Sequence, residues 1–161
     1  FDSNLASTDI LGSVFLEGFT ATSTLAAVAN DLVQVTSFVG PSSVDGDVLL
    51  YGRNNAELTS SANQTFNITG DVLVSSSIDG AALPTGQIDA QAGAAFIDAV
   101  DGGILTIAGE GSVEAKSLNG IDFATLDHGD SLAGQATIAS SGGGGSLTIS
   151  GNANVEAQAF Y

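Results

Sequence analysis

Leu105 to Lys116, LTIAGEGSVEAK, returns 42 residues later as Leu147 to Gln158, LTISGNANVEAQ, with seven of twelve positions identical. A weaker copy lies 39 residues upstream, where Phe66, Ile68, Gly70 and Val74 match Leu105, Ile107, Gly109 and Val113. Each copy alternates with period two. Leu147, Ile149, Gly151, Ala153, Val155 and Ala157 share one parity, and Thr148, Ser150, Asn152, Asn154, Glu156 and Gln158 share the other. Such alternation is what a half-buried β-strand requires, because successive side chains leave opposite faces of the pleat.

A shorter motif sits inside the copies. An apolar residue, one variable residue, glycine and then an acid or asparagine occur four times: VDGD from Val44, ITGD from Ile68, IAGE from Ile107 and ISGN from Ile149. The glycine could supply the positive φ of a hairpin turn, or relieve a bend or bulge in a long strand. Apolar parity carries through it in three copies, which favours the bend. Gly86 to Ala92 (GQIDAQA) and Gly134 to Ser140 (GQATIAS) form a second matching pair. On that alignment Gly93 to Gly103, with its apolar AAFIDAV, is an enlarged loop, and Ser141 to Gly145 is a flexible one.

Repeats of about 40 residues holding several strands are compatible with solenoid coils or with the duplicated halves of a sandwich. Loops of such unequal length favour the sandwich. The expected fold is therefore an all-β antiparallel sandwich, jelly-roll-like, in one domain over residues 1–161, with a β-solenoid as the alternative. Thr24 to Leu32 offers one short helix, with Thr24 as N-cap and Leu25, Val28 and Leu32 at helical spacing; a strand from Leu32 to Val39 competes with it.

Composition narrows the setting. Eighteen acidic residues face one lysine, Lys116, and one arginine, Arg53, for a net charge of −16. A phosphate backbone needs clustered basic groups, so nucleic acid is not an expected partner. With 43% hydrophobic residues the chain can still bury a core, and without cysteine that core stands unaided by disulfides. No apolar run reaches the length of a membrane helix. The chain opens at Phe1 and contains no methionine. Both fit a secreted or surface protein from which a signal peptide has been removed. Such acidity is tolerated where salt screens it.

Candidate sites are few. Asp45 and Asp47 flank Gly46, and Asp127 and Asp130 flank His128 and Gly129; either pair could offer oxygens to calcium, but the twelve-residue calcium loop with its terminal glutamate is missing. With no second histidine, no cysteine and no nucleophile motif, neither a resident cofactor nor an enzyme is expected. Asn63-Gln64-Thr65 and Asn67-Ile68-Thr69 are glycosylation sequons, and the parity of Asn67 points it to solvent. Ile10 to Phe19, ILGSVFLEGF, is apolar on both parities and asks for cover on two faces.

The final alternating strand, Gly151 to Tyr161 (GNANVEAQAFY), with its terminal aromatic pair, resembles the last strand of fimbrial subunits that assemble by donor-strand exchange. The resemblance implies that residues 1–19 act as an assembly arm whose Ile10, Leu11, Val14, Phe15, Leu16 and Phe19 fill a neighbour. The chain is then a secreted structural subunit that polymerises with itself into an extracellular filament, pilus or surface layer. The alternative is a monomeric adhesin or carbohydrate-binding module with surface glycans as partners.

Overall fold

A computed structural model describes the backbone of residues 2–3, 8–11, 14–18, 32–37, 41–52, 55–79, 90–91, 93–118, 121–122, 127–128, 131–132 and 134–160. Side chains are described within 41–52, 55–77, 93–117 and 134–160. The strands fall into five successive triplets. Coil I holds β1 (Asp2–Ser3), β2 (Thr8–Leu11) and β3 (Val14–Gly18); coil II holds β4 (Leu32–Ser37), β5 (Ser42–Asp45) and β6 (Val48–Gly52). Coil III holds β7 (Asn55–Ser60), β8 (Thr65–Ile68) and β9 (Val72–Asp79), and is followed by a short β10 (Ala90–Gln91). Coil IV holds β11 (Ala94–Val100), β12 (Ile104–Ile107) and β13 (Gly111–Leu118). After the short β14 (Ile121–Asp122), β15 (Asp127–His128) and β16 (Ser131–Leu132), coil V holds β17 (Gln135–Ser141), β18 (Ser146–Ile149) and β19 (Ala153–Phe160).

The first strand of every coil joins one five-stranded sheet, β1-β4-β7-β11-β17, which we call face A. The second strands make face B, β2-β5-β8-β12-β18, and the third make face C, β3-β6-β9-β13-β19. Every pairing within these three sheets is parallel. The expected antiparallel sandwich is thus overturned: the chain winds as a parallel β-solenoid, the arrangement that sequence reasoning had placed second. Among the described strands only β14 and β15 pair antiparallel. No described residue is helical; residues 24–31 of the expected helix lie outside the description, and Leu32 opens β4.

The argument from unequal loops fails for a definite reason. Val48 pairs with Val72, 24 residues on, whereas Val72 pairs with Gly111 after 39 and Gly111 with Ala153 after 42. Most of the excess lies in the passage from face C to the next coil's face A, through residues 19–31, 53–54, 80–93 and 119–134. The corner between faces A and B takes up one residue between coils II and III and one more between coils IV and V, and only the path from face B to face C is regular throughout. The second matching pair was also misaligned: Gln135 stands opposite Ala94, and AAFIDAV, expected as loop, is β11.

The repeated alternation becomes stacked columns. Phe66, Leu105 and Leu147 pair in register, as do Ile68, Ile107 and Ile149, and Val74, Val113 and Val155. On face A, Leu58 stacks with Ile97 and Ile138. Leu58, Ile97, Leu105, Ile107, Val74 and Val113 have no solvent exposure. Burying each such aliphatic side chain contributes about 1.5–3 kcal/mol. Inward serines of face A are satisfied locally: Ser60 Oγ donates to the Gln64 carbonyl at 3.0 Å, and Ser140, two coils on in the same column, donates to Gly145 at 2.6 Å.

The repeated glycine stands at the corner between faces B and C, so the chain bends there, as favoured, and forms no hairpin. The chain leaves one sheet there and enters another. Gly70, Gly109 and Gly151 are absent from the positive-φ residues. Their role is close approach: a Cβ on Gly109 would lie 2.2 Å from Asp71 Oδ1 and 2.6 Å from the Gly70 carbonyl oxygen. Each corner therefore sits directly on the one before it.

Replacing Gly109 by alanine is expected to destabilise the fold by about 1–3 kcal/mol, the cost of overpacking. Gly143→Ala, where an added Cβ meets nothing within 4 Å, should stay within about 0.5 kcal/mol of the parent. Urea denaturation of the two variants measures the contrast, and equal stabilities would refute the close-approach role.

Candidate functional site

The acid or amide that follows each corner glycine binds the next coil. Asp71 N–H donates to Asp47 Oδ1 at 2.9 Å, Glu110 N–H to Asp71 Oδ1 at 2.8 Å, and Asn152 Nδ2 to Glu110 Oε1 at 2.8 Å. Backbone bonds run beside them, from Gly70 to Gly46, Gly109 to Gly70 and Gly151 to Gly109. The motif read four times in sequence is one ladder of corner caps. Such charge-assisted bonds are the stronger kind, and they offset the repulsion of carboxylates stacked about one strand spacing apart.

The calcium candidates are dispersed across this frame. Asp45 Oδ1 accepts from Thr69 Oγ1 at 2.9 Å, and Asp47 accepts from the Asp71 amide, so both carboxylates serve coil-to-coil contacts. Asp127 lies in β15, with its side chain outside the described residues, and Asp130 lies outside them altogether. Among the described residues no three His, Cys, Asp or Glu side chains converge on a metal position. No helix among them is long and apolar enough to cross a membrane.

The sequons occupy different settings. Asn63 is exposed at the corner between faces A and B with φ of 60°, and Asn67 is exposed on the outward side of β8. The run Ile10 to Phe19 is two strands around a corner. Ile10 and Leu11 pair with Val44 and Asp45, while Val14, Phe15 and Leu16 pair with Val48, Leu49 and Leu50, all within the chain's own sheets. Phe19 falls outside the description.

Coil V carries the surface that sequence reasoning missed. Strands β17, β18 and β19 stand last in their sheets and are hydrogen-bonded on one side only. The apolar columns therefore surface there. Val155 is 57% exposed and Phe160 42%, and Ala136, Ile138, Leu147 and Ile149 are only partly buried. Residues 134–160 contain one charged side chain, Glu156. Its carboxylate is 3.1 Å from Lys116 Nζ, which also lies 3.2 Å from Glu114. Alternation alone shows an inward residue, and only topology reveals that no further described strand pairs with it.

No family model, curated protein or solved structure matches the chain.

Lys116 separates two carboxylates that would otherwise meet, since Glu114 and Glu156 are direct register partners. Burial alone would lower its pKa, but hydrogen bonds to Glu156 and Glu114, with the attraction of both charges, hold it above the ordinary 10.5. A raised lysine pKa means the stabilisation is fully present below 10.5 and is lost as pH rises through the folded value. Lys116→Gln is expected to cost up to about 1 kcal/mol at neutral pH, as exposed pairs do. Chemical denaturation should show that loss shrinking in high salt and vanishing only on the alkaline side of 10.5.

Proposed function

We propose that the chain is a secreted structural subunit that assembles with copies of itself into an extracellular filament or surface layer by strand addition. The observation that carries this reading is the outer edge of coil V, where no further described strand pairs with β17, β18 and β19 and half-exposed apolar columns surface. Two further features support it. Coil V is almost uncharged in a chain of −16, so two acidic copies can meet there with little repulsion. In coil I, Ile10, Val14 and Leu16 stand in register with the buried Val44, Val48 and Leu50. Coil I of a second copy would then extend each sheet in parallel, with Leu16 continuing the column of Val113 and Val155. Such a head-to-tail contact is heterologous, and heterologous contacts that do not close generate filaments.

The remaining charge of each subunit still opposes association, so assembly is expected to strengthen with ionic strength. Sedimentation and negative-stain microscopy across a salt series measure this. Val155→Asp, placed at an exposed position, should leave a folded monomer that no longer assembles. Filaments unchanged by that substitution, or a parent chain that remains monomeric at every salt concentration, would overturn the reading.

A further inference from the structure

The outward surface of face B takes no part in the filament contact, and its reading does not depend on that contact. Its outward positions in coils III to V are Thr65, Asn67 and Thr69, then Ile104, Thr106 and Ala108, then Ser146, Thr148 and Ser150. Thr65, Ile104 and Ser146 are register partners, as are Asn67, Thr106 and Thr148. The third column stays in step, because the amides of Ala108 and Ser150 donate to the carbonyls of Ile68 and Ile107. The nine side chains thus form a grid whose first two columns lie about 4.8 Å apart between coils and about 6.6 Å along each strand, while its third column stands on the corner residues just past β8, β12 and β18.

Three properties set this grid apart. None of the nine residues is charged, although the chain carries −16; Asp45, exposed on face B in coil II and bonded to Thr69, borders the grid, Asp71, Asp101 and Glu110 lie on its rim, and Glu57, Asp98, Glu114 and Glu156 belong to the other two faces. The corners that bound it are short, at residues 61–64, 101–103 and 142–145 on one side and 69–71, 108–110 and 150–152 on the other. All the long connections leave from the opposite corner. Finally, six of the nine side chains carry a hydroxyl, each a donor and an acceptor. Thr69 donates to Asp45 and keeps its lone pairs free to accept.

We propose that face B binds ice. Each hydroxyl can hold a water molecule, and the backbone ladder sets those waters at fixed repeats, the shorter of which, between coils, lies near the shortest oxygen repeat on the surfaces of hexagonal ice. The fully buried Ile68, Leu105 and Ile107 beneath keep the strands in place, so the pattern exists before the ligand arrives. Ile104, 42% exposed, and Ala108 add apolar groups around which water orders without being drawn into an ionic shell. An uncharged grid complements an uncharged lattice. The absence of any aromatic among the nine removes the stacking platform that a sugar ring would use.

The test uses protein made in a host that leaves Asn67 unmodified, since a glycan there would stand in the middle of the grid. Ice is grown slowly from a dilute solution, the protein in ice and in residual liquid is measured, and thermal hysteresis is recorded on the same samples. The expected result is enrichment in ice, a measurable hysteresis gap, and loss of both in Thr106→Tyr/Thr148→Tyr. Gln135→Tyr, exposed on face A, should behave as the parent. Thr148→Tyr alone, at an exposed position, serves if circular dichroism shows the double variant unfolded. A parent chain left in the liquid like serum albumin, a folded grid variant that still enters ice, or equal loss in Gln135→Tyr would overturn the proposal.

Discussion

The parallel, in-register stacking of one coil on the next is the interaction on which everything else in this structure depends. A single coil cannot bury its inward residues, because its strands lie in three different sheets and touch one another only across the interior. Val74, Val113 and Leu105 become fully buried only because coils lie on both sides of them or across the core. The equivalent residues of coil V, which pair with a described strand on one side only, are partly bare. Stability in such a stack is a sum of coil terms and nearest-neighbour interfaces. The corner ladder of Asp47, Asp71, Glu110 and Asn152 adds a polar contact to each interface where apolar packing is thinnest.

Much of this was legible in the amino-acid order, and the part that was not is instructive. The period-two alternation gave the strands, and the shifts of 39 and 42 residues turn out to be register relations between coils III, IV and V. GDVL occurs at both Gly46 and Gly70, and that separation of 24 residues is the register relation between coils II and III. Direction of pairing was not legible. A strand followed by a short turn looks the same whether the chain reverses beside it or turns a corner into another sheet, because parity reports faces and not partners. The bend at the corner glycine was legible, but its need for space between successive coils was not, since that is a non-local demand.

For the sites, alternation placed Asn67 at the surface. It could not show that Asp45 and Asp47 are engaged by Thr69 and by the Asp71 amide 24 residues away, since those contacts run across the stack. The edge of coil V was invisible for the complementary reason. Val155 occupies the same pattern position as Val113, and their different exposure comes only from what lies beyond them.

The concentration of length variation at one corner bears on how such a chain can change. The corner between faces B and C keeps one length in every coil, and the corner between faces A and B differs by only a residue between coils II and III and between coils IV and V. Between faces C and A the connection ranges from residues 53–54 to the segment 119–134 with no change in the register of the strands that flank it. This corner is therefore a seam along which new sequence can be acquired and lost independently of the core. Side by side on successive coils, such acquisitions would form a row of separately evolving loops on one edge of a constant scaffold.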